Sequence, residues 1–210
     1  MRITYLFDPL CGWCYGAGPV LDRLALLDDV TLELMPTGLF AGAGARAMDA
    51  QFAAYAWQND QRIARLTEQP FSELYRTEVL GKIGGMFDSA PATIGVIAVR
   101  ITEPARELEA LKALQRARYV DGHDNVSLAG VSDILQSIGL VAAAERVRTP
   151  DEELIQIYRR QIDAAQFEMR RFGISGVPAV LVGGGDDRHL LPGNLLFGRF
   201  DLLVSQLKAA

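Results

Sequence analysis

The chain has 210 residues, half of them hydrophobic and 22% charged, and its 21 basic and 26 acidic side chains leave a net charge of −5 at pH 7. That length suits one medium-sized globular unit, or one domain carrying an insertion, with enough chain to bury a core. The 20 glycines and 9 prolines form no repeat, which excludes collagen-like, linker-like and low-complexity readings. An acidic balance without a Lys/Arg cluster argues against non-specific binding to nucleic acid or anionic lipid.

In chain order, Ile3 to Phe7 reads as a buried strand that Asp8-Pro9 ends. This opening is too short for a signal-peptide core, and nothing approaches the roughly 18 apolar residues of a membrane span, so the cytoplasm is the expected location. Cys11-Gly12-Trp13-Cys14 comes next, followed by Val20, Leu21, Leu24 and Leu27 at helical spacing. The cysteines therefore mark a strand-to-helix junction. Val30 to Met35 alternates as a second strand and stops at Pro36, and a strand, helix, strand opening implies a parallel pair with a right-handed crossover.

From Arg46 to Val147 the pattern is helical, interrupted at Gln69-Pro70, Gly81 to Gly85, Pro104 and Asp121 to Asn125. Ala92 to Ile101 reads as a buried helix, Leu108, Leu111 and Leu114 as a more exposed one, and Ser127 begins a third that closes at Gly139. A further helix is expected at the centre of the fold. Thr149 and Glu152 form its capping box, Pro150 takes its first position, and Gly173 follows its end. Tyr158, Ala165 and Phe172 share one of its faces, beside Ile155, Ile162 and Met169. Pro178 to Val182 then reads as a strand, Gly183 to Asp187 as a hairpin turn, Arg188 to Leu191 as its antiparallel partner, and Phe197 to Leu207 as a final helix. Residues 1–45 and 148–210 thus form one discontinuous α/β domain, and residues 46–147 an inserted helical domain.

Two cysteines three positions apart cannot build a secreted disulfide framework. A helix start offers unpaired N–H groups and the positive end of a dipole, which favour an ionised, solvent-reachable thiolate at Cys11. Cys11 is then the nucleophile, and Cys14, one turn on, resolves the mixed disulfide. A zinc site needs two more ligands, and His123 and His189 stand alone, so no metal is expected. A chance pair of buried cysteines is the plainer alternative, weakened by the helix-start context. Gly42-Ala43-Gly44 lacks the residues of a phosphate loop. Glu33 reads as the wetter face of its strand and His123 as a solvated loop residue.

Asp8-Pro9, Cys11-Gly12-Trp13-Cys14, Pro19 five residues after the second cysteine, the helical insertion and Gly176-Val177-Pro178-Ala179 together resemble the thioredoxin-fold thiol-disulfide oxidoreductases. Within them the chain is similar to the DsbA family, in particular its cytoplasmic branch of predicted protein-disulfide isomerases and FrnE-like proteins. The resemblance implies a thioredoxin-like α/β fold with a large all-helical insertion. It also implies disulfide exchange with protein or peptide thiols, glutathione or a thioredoxin-type reductant serving as further partners. No cofactor is needed, because the dithiol is the redox group. It implies a cis bond before Pro178, with the Val177 backbone pairing with an extended substrate, although a proline can also simply open an edge strand. Trp13 would cover the disulfide and meet substrates, which packing explains equally well. Asp8 would assist proton transfer from Cys14, with turn formation as the plainer reading. Gly12-Trp13 places no cation between the sulfurs, which points to a reductase, isomerase or mild oxidase. Two alternatives stay open. One is a glutathione-dependent isomerase or transferase of the 2-hydroxychromene-2-carboxylate isomerase or kappa class, against which Cys14 speaks. The other is a redox-sensing binding module.

Overall fold

A strand buried on both faces reads as a continuous apolar run, and β1 (Arg2–Phe7) is such a strand, sealed from Ile3 onward. The structure is a computed structural model that describes residues 1–123, 125–185 and 187–209. Two short helices, α1 (Gly12–Gly16) and α2 (Gly18–Ala25), follow β1 and lead to β2 (Thr31–Pro36). The sequence suggested one helix here. Pro19, which lacks an N–H and crowds the carbonyl four residues back, sits in the first turn of α2 instead and forces the break at Ala17.

β1 pairs with β2 in parallel, Tyr5 opposite Leu34, as the crossover argument requires. On its other side β1 pairs antiparallel with β5 (Ala179–Val182), and β5 with β6 (His189–Leu191), giving the order β2-β1-β5-β6 in one sheet once the helical block between β2 and β5 is set aside. Ile3, Tyr5 and Phe7 face the main core, while Leu6 with Ala179 and Leu181 faces a smaller one.

The helical block contains α3 (Ala50–Thr67), a π-helical turn at Tyr75–Leu80, α4 (Ala90–Thr102), α5 (Glu107–Tyr119), α6 (Leu128–Ser137) and α7 (Val141–Arg148). A two-residue ladder between β3 (Arg46–Ala47) and β4 (Met86–Phe87) ties its start to its middle, too short to leave a period in the sequence. α4 is buried on all sides, as its composition predicts. α5 is not the exposed helix expected from the sequence: Leu111 and Leu114 are sealed in the main core, and each such leucine contributes about 1.5–3 kcal/mol.

α8 (Glu152–Arg171) also departs from expectation. Its cap is Asp151, whose carboxylate accepts the Leu154 amide at 2.7 Å, so Thr149, Glu152 and Pro150 do not form a capping box. Nor is it central. Of its residues only Leu154, Ala165 and Glu168 are buried, and it lies as an outer cover, Met169 and Phe172 closing over Leu6 and Leu181. Gly173 does follow its end, in a left-handed conformation with φ 62°. The last helix, α9 (Phe200–Ala209), starts after Phe197, which belongs to a 3-10 turn at Gly193–Phe197. Asp124 in the expected Asp121–Asn125 interruption and Asp186 in the expected hairpin turn lie outside the described residues. Among the described residues no helix is long and apolar enough to cross a membrane.

Candidate active site

Cys11 caps α1 from an extended conformation, φ −84° and ψ 116°, so its side chain folds back over the first turn. The Cys14 amide donates to Cys11 Sγ at 3.3 Å, and the Cys11 thiol donates to the Val177 carbonyl at 3.4 Å. Both thiols are free. The peptide bond between Val177 and Pro178 is cis, and its carbonyl side faces Cys11. The structure thus brings the first cysteine, the second cysteine and the Val-Pro element together from opposite ends of the chain.

Two expectations need correction. Cys11 is 6% exposed and Cys14 1%, so Cys11 is reached only through a groove and is not openly solvent-facing. α1 is five residues long, and a dipole that weakens within a turn adds little in so short a helix. The donor that the structure places at Cys11 Sγ is the Cys14 amide. Cys14 is different. Burial pushes its thiol well above the ordinary range, with Cys11 the next contributor and the nearby Asp8 charge acting in the same direction.

Asp8 is fully buried at the end of β1. Its Oδ1 accepts the Leu10 amide at 2.9 Å, and its Oδ2 accepts the Phe40 amide at 3.0 Å and the Ser89 hydroxyl at 2.7 Å. Burial raises its carboxyl above the usual range although all three bonds pull down. The side chain therefore fixes the turn before Cys11 to the β2 exit and to the start of α4. Trp13 is half-buried, edge-on to Phe197 with ring centres 5.0 Å apart, and Arg62 stands over its ring at 5.9 Å.

The groove in front of Cys11 holds about 190 Å³ and is walled by the helical block, with Phe52, Tyr55 and Asp60 of α3 facing Gly12 and Trp13. A larger hollow of about 600 Å³ beside Pro19, Lys112 and Gln115 includes neither cysteine. An aromatic cluster locks the wall to the motif: Tyr15 stacks on Tyr119 at 4.8 Å, and the Tyr119 hydroxyl donates to the Leu10 carbonyl at 2.7 Å. Arg118, buried on the same helix, lies against the Phe87, Tyr75 and Tyr119 rings at 5.2, 5.6 and 5.8 Å. Sequence reasoning missed Asp60, Tyr75, Arg118 and Tyr119. A signal did exist for Asp60, since Ala56, Trp57, Ile63 and Ala64 place it on the apolar stripe of α3.

His123 is an exposed loop residue, and Glu33 accepts from Arg2 at 2.7 Å and from Thr4 at 3.1 Å on its strand. Gly42–Gly44 is a single 3-10 turn. No cluster of three metal-ligating side chains occurs among the described residues.

A thioredoxin-type sheet, a cysteine pair at a helix start and a cis proline beside it define a thiol-disulfide oxidoreductase. The chain belongs to the family of the DSBA-like thioredoxin domain, whose model matches residues 2–208. It is similar to the cytosolic disulfide reductase DsbM from Pseudomonas aeruginosa, at 28% identity and a TM-score of 0.86 over 100% of both chains. The same reductase solved with GSH matches at 28% identity and 0.84, over 99% of this chain and 100% of that one. A candidate protein disulfide isomerase from Nitrosomonas europaea matches at 25% identity and 0.76, over 98% of each. No curated protein sequence matches the chain.

Proposed function

We propose that the protein is a cytosolic dithiol reductase in which Cys11 attacks a substrate disulfide and Cys14 then releases the product. The observation that carries this reading is the Cys14 amide aimed at Cys11 Sγ at 3.3 Å, with Cys14 itself buried and held as a thiol. Cys11 attacks first because it lines the groove, whereas Cys14 is sealed and burial holds it as a thiol. When Cys11 ionises it loses its hydrogen bond to the Val177 carbonyl, which frees that carbonyl for the amide of an extended substrate held against the cis Pro178. Asp8, whose charge already raises Cys14, takes the Cys14 proton in the second step. Trp13 borders the entry.

Residues 1–45 and 148–210 supply the thiol machinery in this reading, and residues 46–147 supply the wall that decides what reaches it. A groove of about 190 Å³ admits a slender peptide segment or glutathione and not a folded surface. Similarity to a reductase solved with GSH supports glutathione as substrate or recycling partner. The lack of a cation between the cysteines supports reduction or isomerisation over strong oxidation. Cys14→Ser should accumulate mixed disulfides on Cys11, detectable by mass spectrometry after acid quench, and Cys11→Ser should accumulate none. Equilibration with glutathione buffers measures direction: a potential near the strong-oxidant value of about −120 mV would overturn the reductase assignment.

A further inference from the structure

Asp60 is 5% exposed and lines the groove that holds Cys11. Its Oδ2 accepts a hydrogen bond from the Tyr75 hydroxyl at 2.7 Å. Its Oδ1 has no hydrogen-bond partner among the described residues and abuts the residue between the cysteines, where a Cβ on Gly12 would stand 2.4 Å from it. That oxygen is not sealed: it opens on the groove shared with Cys11, where it can meet water or a bound substrate. A reacting group that visits the groove would supply the missing partner.

We propose that Asp60 is a general acid of the exchange, giving its proton to the substrate sulfur that Cys11 displaces. The proposal rests on Cys11 being the attacking thiol. The Cys11 thiolate forms a bond to one sulfur of R–S–S–R′ as the S–S bond breaks, and the electron pair departs on R′S⁻. The Asp60 carboxyl proton passes to that sulfur, leaving R′SH and a carboxylate that regains a proton from solvent. Cys14 then displaces RS⁻ from Cys11, and the two electrons lost by the dithiol are those gained by the substrate disulfide.

The surroundings suit the task. Burial pushes the Asp60 carboxyl up to about 7, while the Tyr75 hydrogen bond and the Arg118 charge pull it down. A general acid works best with its pKa near the working pH. The titratable or charged groups facing it are Tyr75 from the π turn, Arg118 and Tyr119 from α5, and Cys11 at the start of α1. Burial holds both tyrosines well above their ordinary range, so they stay neutral across the pH range of interest.

Leaving-group chemistry separates this role from a structural one. Single-turnover reaction of the reduced protein is followed with bis-hydroxyethyl disulfide, whose alkyl thiolate needs a proton. The comparison is dithiobis-nitrobenzoate, whose aromatic thiolate leaves unprotonated. Cys11 ionisation affects both rates alike and cancels in their ratio. Asp60→Asn should lower the alkyl-to-aromatic rate ratio about tenfold or more and abolish its inflection near the Asp60 pKa of about 7. Tyr75→Phe keeps the acid but removes a bond that lowers its pKa, and should move the inflection to higher pH. An unchanged ratio in Asp60→Asn, equal slowing on both disulfides, or an inflection unmoved in Tyr75→Phe would each overturn the proposal. Aromatic disulfide cleavage that persists in Cys11→Ser would instead refute the assignment of Cys11.

Discussion

Alanine at Gly12 is a direct test of how tightly the helical block closes on the cysteine motif. An added Cβ would stand 2.4 Å from Asp60 Oδ1 and 3.2 Å from Ile63 Cδ1. Asp60 cannot swing aside freely, because Tyr75 holds its other oxygen, and Ile63 is sealed in the aromatic cluster. Forcing a methyl into such packing costs about 1–3 kcal/mol, and replacing a helical glycine returns about 0.5–1 kcal/mol, so Gly12→Ala should destabilise by about 1–2 kcal/mol. Gly18→Ala is the control. Its Cβ meets nothing within 4 Å, and the change should be neutral or stabilising by up to about 1 kcal/mol. Urea unfolding read as a midpoint shift at constant m-value measures both. A double-mutant cycle then isolates the contact: in an Asp60→Ala background only the Ile63 approach remains, and the Gly12→Ala cost should fall by about 1 kcal/mol or more. An equal cost in both backgrounds would refute the close packing of α3 on the motif.

Two other outcomes follow from the structure. Asp151→Ala should cost about 0.5–2 kcal/mol through the lost cap of α8, whereas Thr149→Ala should cost little. Equal losses in thermal unfolding would restore the capping box. The second outcome concerns pH. The folded chain raises Asp60 from 3.8 to about 7, so between those values it binds more proton there than the unfolded chain does. Stability must then fall as pH rises across that window. Asp8 shifts in the same direction, so the comparison is wild type against Asp60→Asn: wild type should lose on the order of a few kcal/mol more between pH 4 and pH 8. Parallel pH profiles of unfolding free energy would contradict the Asp60 shift.

The frame was legible wherever one segment carried its own signal. β1 from Ile3 and α4 from Ala92 to Val99 are mostly apolar because they are covered on all sides, and Asp8-Pro9 marks where the first of these runs stops. The errors came where neighbours decide. The leucines of α5 are interleaved with charged residues, which looks like a surface helix until α4 and α6 close over one face. At α8, Thr149-x-x-Glu152 and Asp151-x-x-Leu154 compete for the same helix start. Thr149 ends α7 with φ −138° and ψ 80°, outside the helical region that the following proline also disfavours. The helix therefore begins two residues later, capped by Asp151.

The site divides in the same way. Cys11 and Cys14 announce themselves because exchange chemistry needs two sulfurs one turn apart, and a single stretch of chain supplies both. The wall comes from three separate elements, in which Asp60, Tyr75 and Tyr119 meet only after folding, so no spacing rule links them. What does show in the sequence is a conflict: a carboxylate on the apolar face of α3 and a glycine between the cysteines. Each has an ordinary explanation alone. Placed in contact, they account for each other, since glycine is the residue that leaves room for the Asp60 oxygen. In the proposed mechanism, attack by Cys11 is set by the thioredoxin-type frame, whereas access and proton supply are set by the helical block. Changes to α3 should alter which disulfides react more than whether the cysteines react at all.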